Sequence, residues 1–153
     1  TTEYPSHEST DSQAGQDSLD PKQFAILVVD NDPAHAQAMT ESLEKTGYRC
    51  TVATSGPEGK RHIEQNTFDV VITDLVMNDF DGMQMLELSR QLLPESLAIM
   101  VTGHATVTKA VEAMQLGAFN FLEKPITPNK LRAIVAKAVE AVQLLLLYTS
   151  DAA

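Results

Sequence analysis

Five short apolar runs alternate along this chain with segments whose apolar residues recur at helical spacing. The runs that predict strands lie at 24–29, 48–53, 69–73, 97–101 and 118–122. Continuous apolar runs of this length are typical of parallel strands that are buried on both faces of a sheet. Their alternation with helices predicts an α/β fold, in which a parallel sheet of five strands is flanked by five helices.

Capping signals and apolar stripes predict where the helices lie. Asp32 is typical of an N-cap, Pro33 of a first helical position, and Gly47 of a helix end. Further helices are expected at 55–65, 82–93, 107–116 and from 127 onward. The apolar stripes consist of Ala36, Met39 and Leu43 in the first helix and of Val107, Ala110, Val111 and Met114 in the fourth.

Length and composition exclude several classes of protein. A chain of 153 residues with 43% hydrophobic residues can form one ordinary globular domain. The formal net charge of −10 argues against a nucleic-acid or anionic-membrane surface. Cys50 is the only cysteine, which rules out an internal disulfide and favours a reducing compartment. No signal peptide or membrane span of about 20 apolar residues is visible, so a cytoplasmic location is expected.

The chain divides into three parts by composition. Residues 1–22 are acidic and almost without apolar side chains, so we expect a disordered tail. Residues 23–143 would form the folded domain. Residues 144–153 contain a run of four leucines and are expected to be either the end of the last helix or a truncated linker.

Polar residues close the predicted strands. Asp30 and Asp74 end the first and third strands, Thr102 ends the fourth, and Lys124 follows the fifth. Because the carboxyl ends of parallel strands meet at one edge of a sheet, these side chains are expected to share a pocket. That set suits phosphoryl transfer onto an aspartate, with Asp74 as the acceptor.

The remaining residues of the pocket would balance the negative charge of the phosphoryl group. Asp30, Asn31 and Asp32 offer oxygen ligands for a hard cation such as Mg²⁺. Lys124 would supply a positive charge to a phosphoryl oxygen, and Thr102 would donate a hydrogen bond to it.

Four sequence motifs now resemble those of a known family, the receiver domain of two-component response regulators. They are VVDND at 28–32, DLVMNDFDG at 74–82, VTGH at 101–104 and FLEKP at 121–125. The resemblance covers about residues 24–142 and is greatest to receivers of nitrogen-regulation (sigma-54-dependent) and nitrogen-fixation transcriptional activators. It implies a flavodoxin-like, doubly wound sheet of strand order 2-1-3-4-5.

The resemblance also implies a role for each site residue. Asp74 would receive a phosphoryl group from the phosphohistidine of a sensor histidine kinase. Asp30, Asp74 and the backbone carbonyl of Val76 would hold Mg²⁺, while Thr102 and Lys124 would contact the phosphoryl group. The aromatic ring whose rotamer follows Thr102 would be Phe121.

Signalling would then leave the pocket through the face made by the fourth helix, the fifth strand and the fifth helix. Homodimerisation through that face is expected, and an ATPase with a DNA-binding helix-turn-helix beyond the chain would make it a transcriptional activator. The domain itself would contact neither nucleic acid nor membrane. It would act on no external substrate and would assist only its own phosphorylation and dephosphorylation.

Two positions depart from the family pattern. Asn31 stands where the family usually has a second acidic residue, which predicts weaker Mg²⁺ binding. Asn78 stands where proline is usual, and His104 is interpreted as a loop residue without a metal or catalytic role.

Two other functions stay open from the sequence. Asn31 would also suit a receiver-like interaction module that is never phosphorylated. Asp30-Asn31-Asp32 fits the Asp-x-Asp of haloacid-dehalogenase-type phosphohydrolases, in which Asp30 would be the nucleophile and Asp32 the general acid.

Overall fold

The sheet has the predicted strands and the predicted order. A computed structural model describes residues 19–77, 80–103 and 106–152 of the chain. Its strands are β1 (Ala25–Val29), β2 (Arg49–Ala53), β3 (Val70–Asp74), β4 (Leu97–Thr102) and β5 (Asn120–Glu123). All neighbouring strands are parallel, in the order β2-β1-β3-β4-β5. The expected doubly wound, flavodoxin-like topology is confirmed.

Five helices connect and cover these strands. They are α1 (Pro33–Thr46), α2 (Gly56–Gln65), α3 (Gly82–Leu92), α4 (Val107–Gln115) and α5 (Pro128–Ala152). The predicted cap of α1 is confirmed, because the Asp32 carboxylate accepts hydrogen bonds from the amides of Ala34 and His35. Gly47 ends this helix with a φ of 115°, a left-handed conformation that favours glycine.

The core lies on both faces of the sheet. Ile26 and Val28 of β1 belong to one buried cluster, which includes residues of α1 and α5. Leu27 and Val29 belong to a second cluster, which includes residues of α2 and α3. Because alternate residues of β1 are buried on opposite faces of the sheet, the strand is apolar throughout, and its first polar residue, Asp30, follows its end.

Most of the apolar stripe predicted for the fourth helix is exposed. The side chains of Val107, Val111 and Met114 are 81%, 49% and 48% exposed, and only Ala113 of α4 is buried. The predicted stripe is therefore mostly exposed, since helical spacing defines a stripe but not the face that packs. We call the exposed residues Val107, Val111 and Met114 the α4 face.

The two ends of the described chain extend the domain. Leu19 packs against the first cluster, and Pro21–Gln23 forms a short 3-10 helix capped by the Asp20 carboxylate. The structure thus includes residues 19–22, which the sequence analysis assigns to the tail; residues 1–18 lie outside the described part. At the other end α5 continues through the leucine run, and residues 144–148 are exposed. In the ranges described, every helix is too short or too polar to span a membrane.

Candidate functional site

Two carboxylates and one ammonium group meet at the carboxyl edge of the sheet. The Nζ atom of Lys124 donates to Oδ2 of Asp30 at 3.1 Å and to Oδ2 of Asp74 at 2.9 Å. The amide of Lys124 also donates to the carbonyl of Thr102 at 2.8 Å, which fixes the start of the loop after β5. We call Asp30, Asp74 and Lys124 the acidic pocket.

Asp30 is fully buried and accepts three hydrogen bonds. Its Oδ1 accepts from the amide of Asp32 at 2.9 Å. Its Oδ2 accepts from Lys124 and also contacts Nδ1 of His35 at 2.5 Å. Sequence reasoning missed His35. It lies in the first turn of α1, and no motif in the sequence marks it.

The contacts of the acidic pocket keep its charges in place. Burial alone would raise the pKa of Asp30, but hydrogen bonds from Asp32, His35 and Lys124 and the charge of Lys124 hold that pKa below its ordinary value. Burial would lower the pKa of Lys124, whereas its bonds to Asp74 and Asp30 raise it above its ordinary value. Both groups are therefore charged around neutral pH.

Asp74 is held on its own side by the loop that follows it. Its carboxylate is largely buried, and Oδ1 accepts from the amide of Val76 at 3.2 Å. Gly82 lies so close that a Cβ atom there would be 2.3 Å from the carbonyl oxygen of Asp74. Its amide donates to the carbonyl of Leu75 at 2.9 Å. Only glycine allows α3 to begin this close to the end of β3.

The two predicted switch residues lie on the neighbouring strands. Thr102 ends β4, is 1% exposed, and comes one residue after Val101, which pairs with Asp74. Phe121 of β5 is half-buried and packs against a third cluster, which includes Leu86 and Met100. Their roles stay predictions.

The other predicted metal ligands are exposed or already take part in hydrogen bonds. Asn31 is exposed, and Oδ1 of Asp32 is already bonded to two amides of α1. The side chain of Val76 is 58% exposed, and its amide is engaged by Asp74. Asn78 and His104 lie outside the described residues.

The donor set fits a hard cation that takes part of its coordination from elsewhere. Two buried carboxylates have oxygens within 3.1 Å of one nitrogen, so a single positive centre can serve both. Within the described ranges, no group of three or more His, Cys, Asp or Glu side chains is arranged to hold a metal. Backbone carbonyls and water, common ligands of Mg²⁺, would have to complete the shell.

Comparison with known proteins gives one consistent result. The family profile "Response regulator receiver domain" matches residues 26–136. The alginate biosynthesis transcriptional regulatory protein AlgB of Pseudomonas aeruginosa is 36% identical over 123 residues. That alignment covers 80% of this chain and 27% of AlgB, so the chain spans about a quarter of its relative.

Solved structures share the fold over most of the chain. The beryllofluoride-activated NtrC4 receiver domain dimer has a TM-score of 0.73 and 31% identity, covering 77% of this chain and 98% of its own. A Burkholderia pseudomallei response regulator, described with a phosphorylated aspartic acid and a calcium ion, has a TM-score of 0.70 and 26% identity. That match covers 79% of this chain and 71% of the solved chain.

Proposed function

The chain belongs to the response regulator receiver domain family, and we propose that Asp74 is its phosphoacceptor in a phosphorylation-controlled switch. Receiver domains of transcriptional regulators are signalling modules, and the proposal concerns how this one is operated. The observation that carries it is the bridge from Lys124 to both Asp30 and Asp74. A partly buried ammonium group held between two carboxylates is a preformed place for a third, more highly charged group.

In the proposed reaction a carboxylate oxygen of Asp74 attacks the phosphorus of a phosphohistidine on a sensor histidine kinase. The phosphorus–oxygen bond forms as the phosphorus–nitrogen bond breaks, and the imidazole leaves with a proton taken from solvent. Lys124 turns from the Asp74 carboxylate to a phosphoryl oxygen. When bound, Mg²⁺ would neutralise phosphoryl charge, held by Asp30, Asp74 and the carbonyl of Val76.

Switching follows from the added charge. A phosphoryl group brings about −1.5 to −2 charges into a pocket that is already acidic. Thr102 donates to it, and Phe121 follows Thr102, so β4 and β5 carry the change to α4. The proposed output is homodimerisation through α4, β5 and α5. The exposed α4 face supports this, as does the description of the NtrC4 receiver as a dimer.

The wider role is also a proposal. AlgB is a transcriptional regulatory protein nearly four times as long as the aligned part, which leaves room for an output module. The resemblance to sigma-54-dependent activators suggests that this output would be an ATPase with a DNA-binding module. The receiver would work in the cytoplasm and assist only its own phosphorylation and dephosphorylation. The haloacid-dehalogenase alternative loses its support, because the family match covers the Asp30 motif.

Incubation with acetyl phosphate and Mg²⁺ tests the proposal. We expect a mass gain of one phosphoryl group, and borohydride reduction should mark Asp74. Marking of Asp30 would support the phosphohydrolase. No gain in a folded protein would support the phosphorylation-independent module that Asn31 suggests.

A further inference from the structure

We propose that a divalent cation binds Asp30 through Oδ2, where His35 already occupies a lone pair, so that His35 limits cation affinity and is displaced when the cation binds. The inference deepens the proposed function and rests on it, since it requires a cation at Asp30.

The hydrogen bonds of Asp30 are the first step. A carboxylate oxygen has two lone pairs. Oδ2 of Asp30 accepts from His35 at 2.5 Å and from Lys124 at 3.1 Å, so both of its lone pairs are engaged. Oδ1 accepts one bond, from the amide of Asp32 at 2.9 Å. Oδ2 is nevertheless the oxygen that shares Lys124 with Asp74, so a cation placed between the two carboxylates would bind Oδ2. A cation that binds Asp30 through Oδ2 has to replace one of the two donors.

His35 is the donor that can leave with the least rearrangement. The amide of Asp32 belongs to the turn that caps α1, so its loss would disturb the helix start. Lys124 is tied to Asp74 as well as to Asp30 and to Thr102 through its backbone. His35 has one bond in the pocket, and its side chain is 24% exposed, so a change of rotamer brings the imidazole to water.

The displacement has a definite cost. The bond from His35 is a charge-assisted one to a buried carboxylate, which is stronger than a bond between neutral groups. Cation binding must break it and rehydrate the ring. Asn31 already removes a negative charge from this edge, so the two residues act in the same direction and both lower cation affinity.

A Mg²⁺ titration of His35→Leu, which removes the donor, tests the inference. At one fixed pH and ionic strength we expect the variant to bind Mg²⁺ roughly three- to tenfold more tightly than the unaltered chain. Its stability without Mg²⁺ should fall, because Asp30 loses a donor. A residue with only a structural role would lower stability without raising affinity. His62→Leu, the same change in the last turn of α2, serves as the control and should leave the Mg²⁺ affinity unchanged.

The unaltered chain provides a second measurement that does not depend on the variant folding. Nitrogen NMR of labelled histidine side chains should show the Nδ1 signal of His35 shifting as Mg²⁺ saturates the site, with His62 unchanged. Equal or weaker Mg²⁺ binding by His35→Leu, or an unmoved His35 signal at saturation, overturns the inference. If Asp30→Asn abolishes binding in the same series, the proposed cation site stands and only the role of His35 fails. If neither the unaltered chain nor any variant binds Mg²⁺, the proposed cation site and the role of His35 both fail.

Discussion

The acidic pocket and the α4 face reverse the usual partition of side chains in opposite ways. The pocket buries charge: Asp30 is fully enclosed and Asp74 is 6% exposed. The α4 face exposes apolar surface, with Val107 four-fifths open to solvent. Charged groups are rarely buried unless they are paired, and large apolar patches on a surface usually mark a contact site.

The two regions differ in how the cost is met. In the pocket the compensation is internal, because Lys124, His35 and backbone amides bond to the carboxylates. In α4 only Ala113 is buried, so the helix gains little stability from the core. The pocket should therefore be sensitive to the loss of any one partner. The α4 face should tolerate polar substitution in the monomer and respond only in an assembly.

The largest expected effect is on the acceptor. Asp74→Asn removes the nucleophilic carboxylate, so mass gain from acetyl phosphate should be lost completely. The matched control is Glu87→Gln, which removes an exposed carboxylate from α3 and should leave the mass gain intact. A full mass gain in Asp74→Asn would show that another residue is the phosphoacceptor and that Asp74 does not carry the switch.

Lys124→Met should lower the free energy of unfolding more than any polar substitution on the α4 face does. Two buried carboxylates would lose their shared cation, which is expected to cost about 2–4 kcal/mol of the free energy of unfolding. Denaturant titration measures this loss, with the exposed Lys130→Met as control. Adding Asp74→Asn should recover part of it, because one of the unpaired charges is then gone. An additive double variant would show that the bond to Asp74 contributes nothing.

The α4 face should separate assembly from stability. We expect Val111→Ser to change the free energy of unfolding by less than about 0.5–1 kcal/mol, since its side chain is half exposed. In contrast, Ala113→Leu, on the buried side of the same helix, should cost about 1–3 kcal/mol through overpacking. With Mg²⁺ and beryllofluoride, Val111→Ser should weaken any dimer seen by sedimentation. An unchanged dimer would place the contact on another face.

The smallest expected effect is a pH dependence confined to the pocket. The pKa of Asp30 is lowered by folding, so its contribution to stability is present above its unfolded pKa and is lost as pH falls through the folded value, below about pH 4. Asp30→Asn should flatten that part of an acid unfolding profile, whereas Val111→Ser should leave its shape unchanged. A parallel shift in both variants would mean that other carboxylates govern the acid limb.

The sequence was sufficient for the fold and for most of the pocket. Buried strands and caps are local signals, and parallel strands bring their ends together, so Asp30, Asp74 and Lys124 could be predicted to meet. The orientation of α4 could not be predicted, because its stripe satisfies helical spacing whichever way the helix faces. His35 was missed because its role depends on a rotamer and a bond across five residues, and no motif of residue types records these.

Gly82 limits the direction in which the backbone at Asp74 can move. Because there is no room for even one extra carbon between the start of α3 and the carbonyl of Asp74, the acceptor has a rigid support on that side. If Asp74 is phosphorylated as proposed, the backbone at Asp74 could not make room by moving toward α3. The proposed displacement would then be taken up on the other side of the pocket, by β4, β5 and α4, a helix of which only Ala113 is buried. The absence of a side chain at residue 82 would thereby determine which side of the pocket moves.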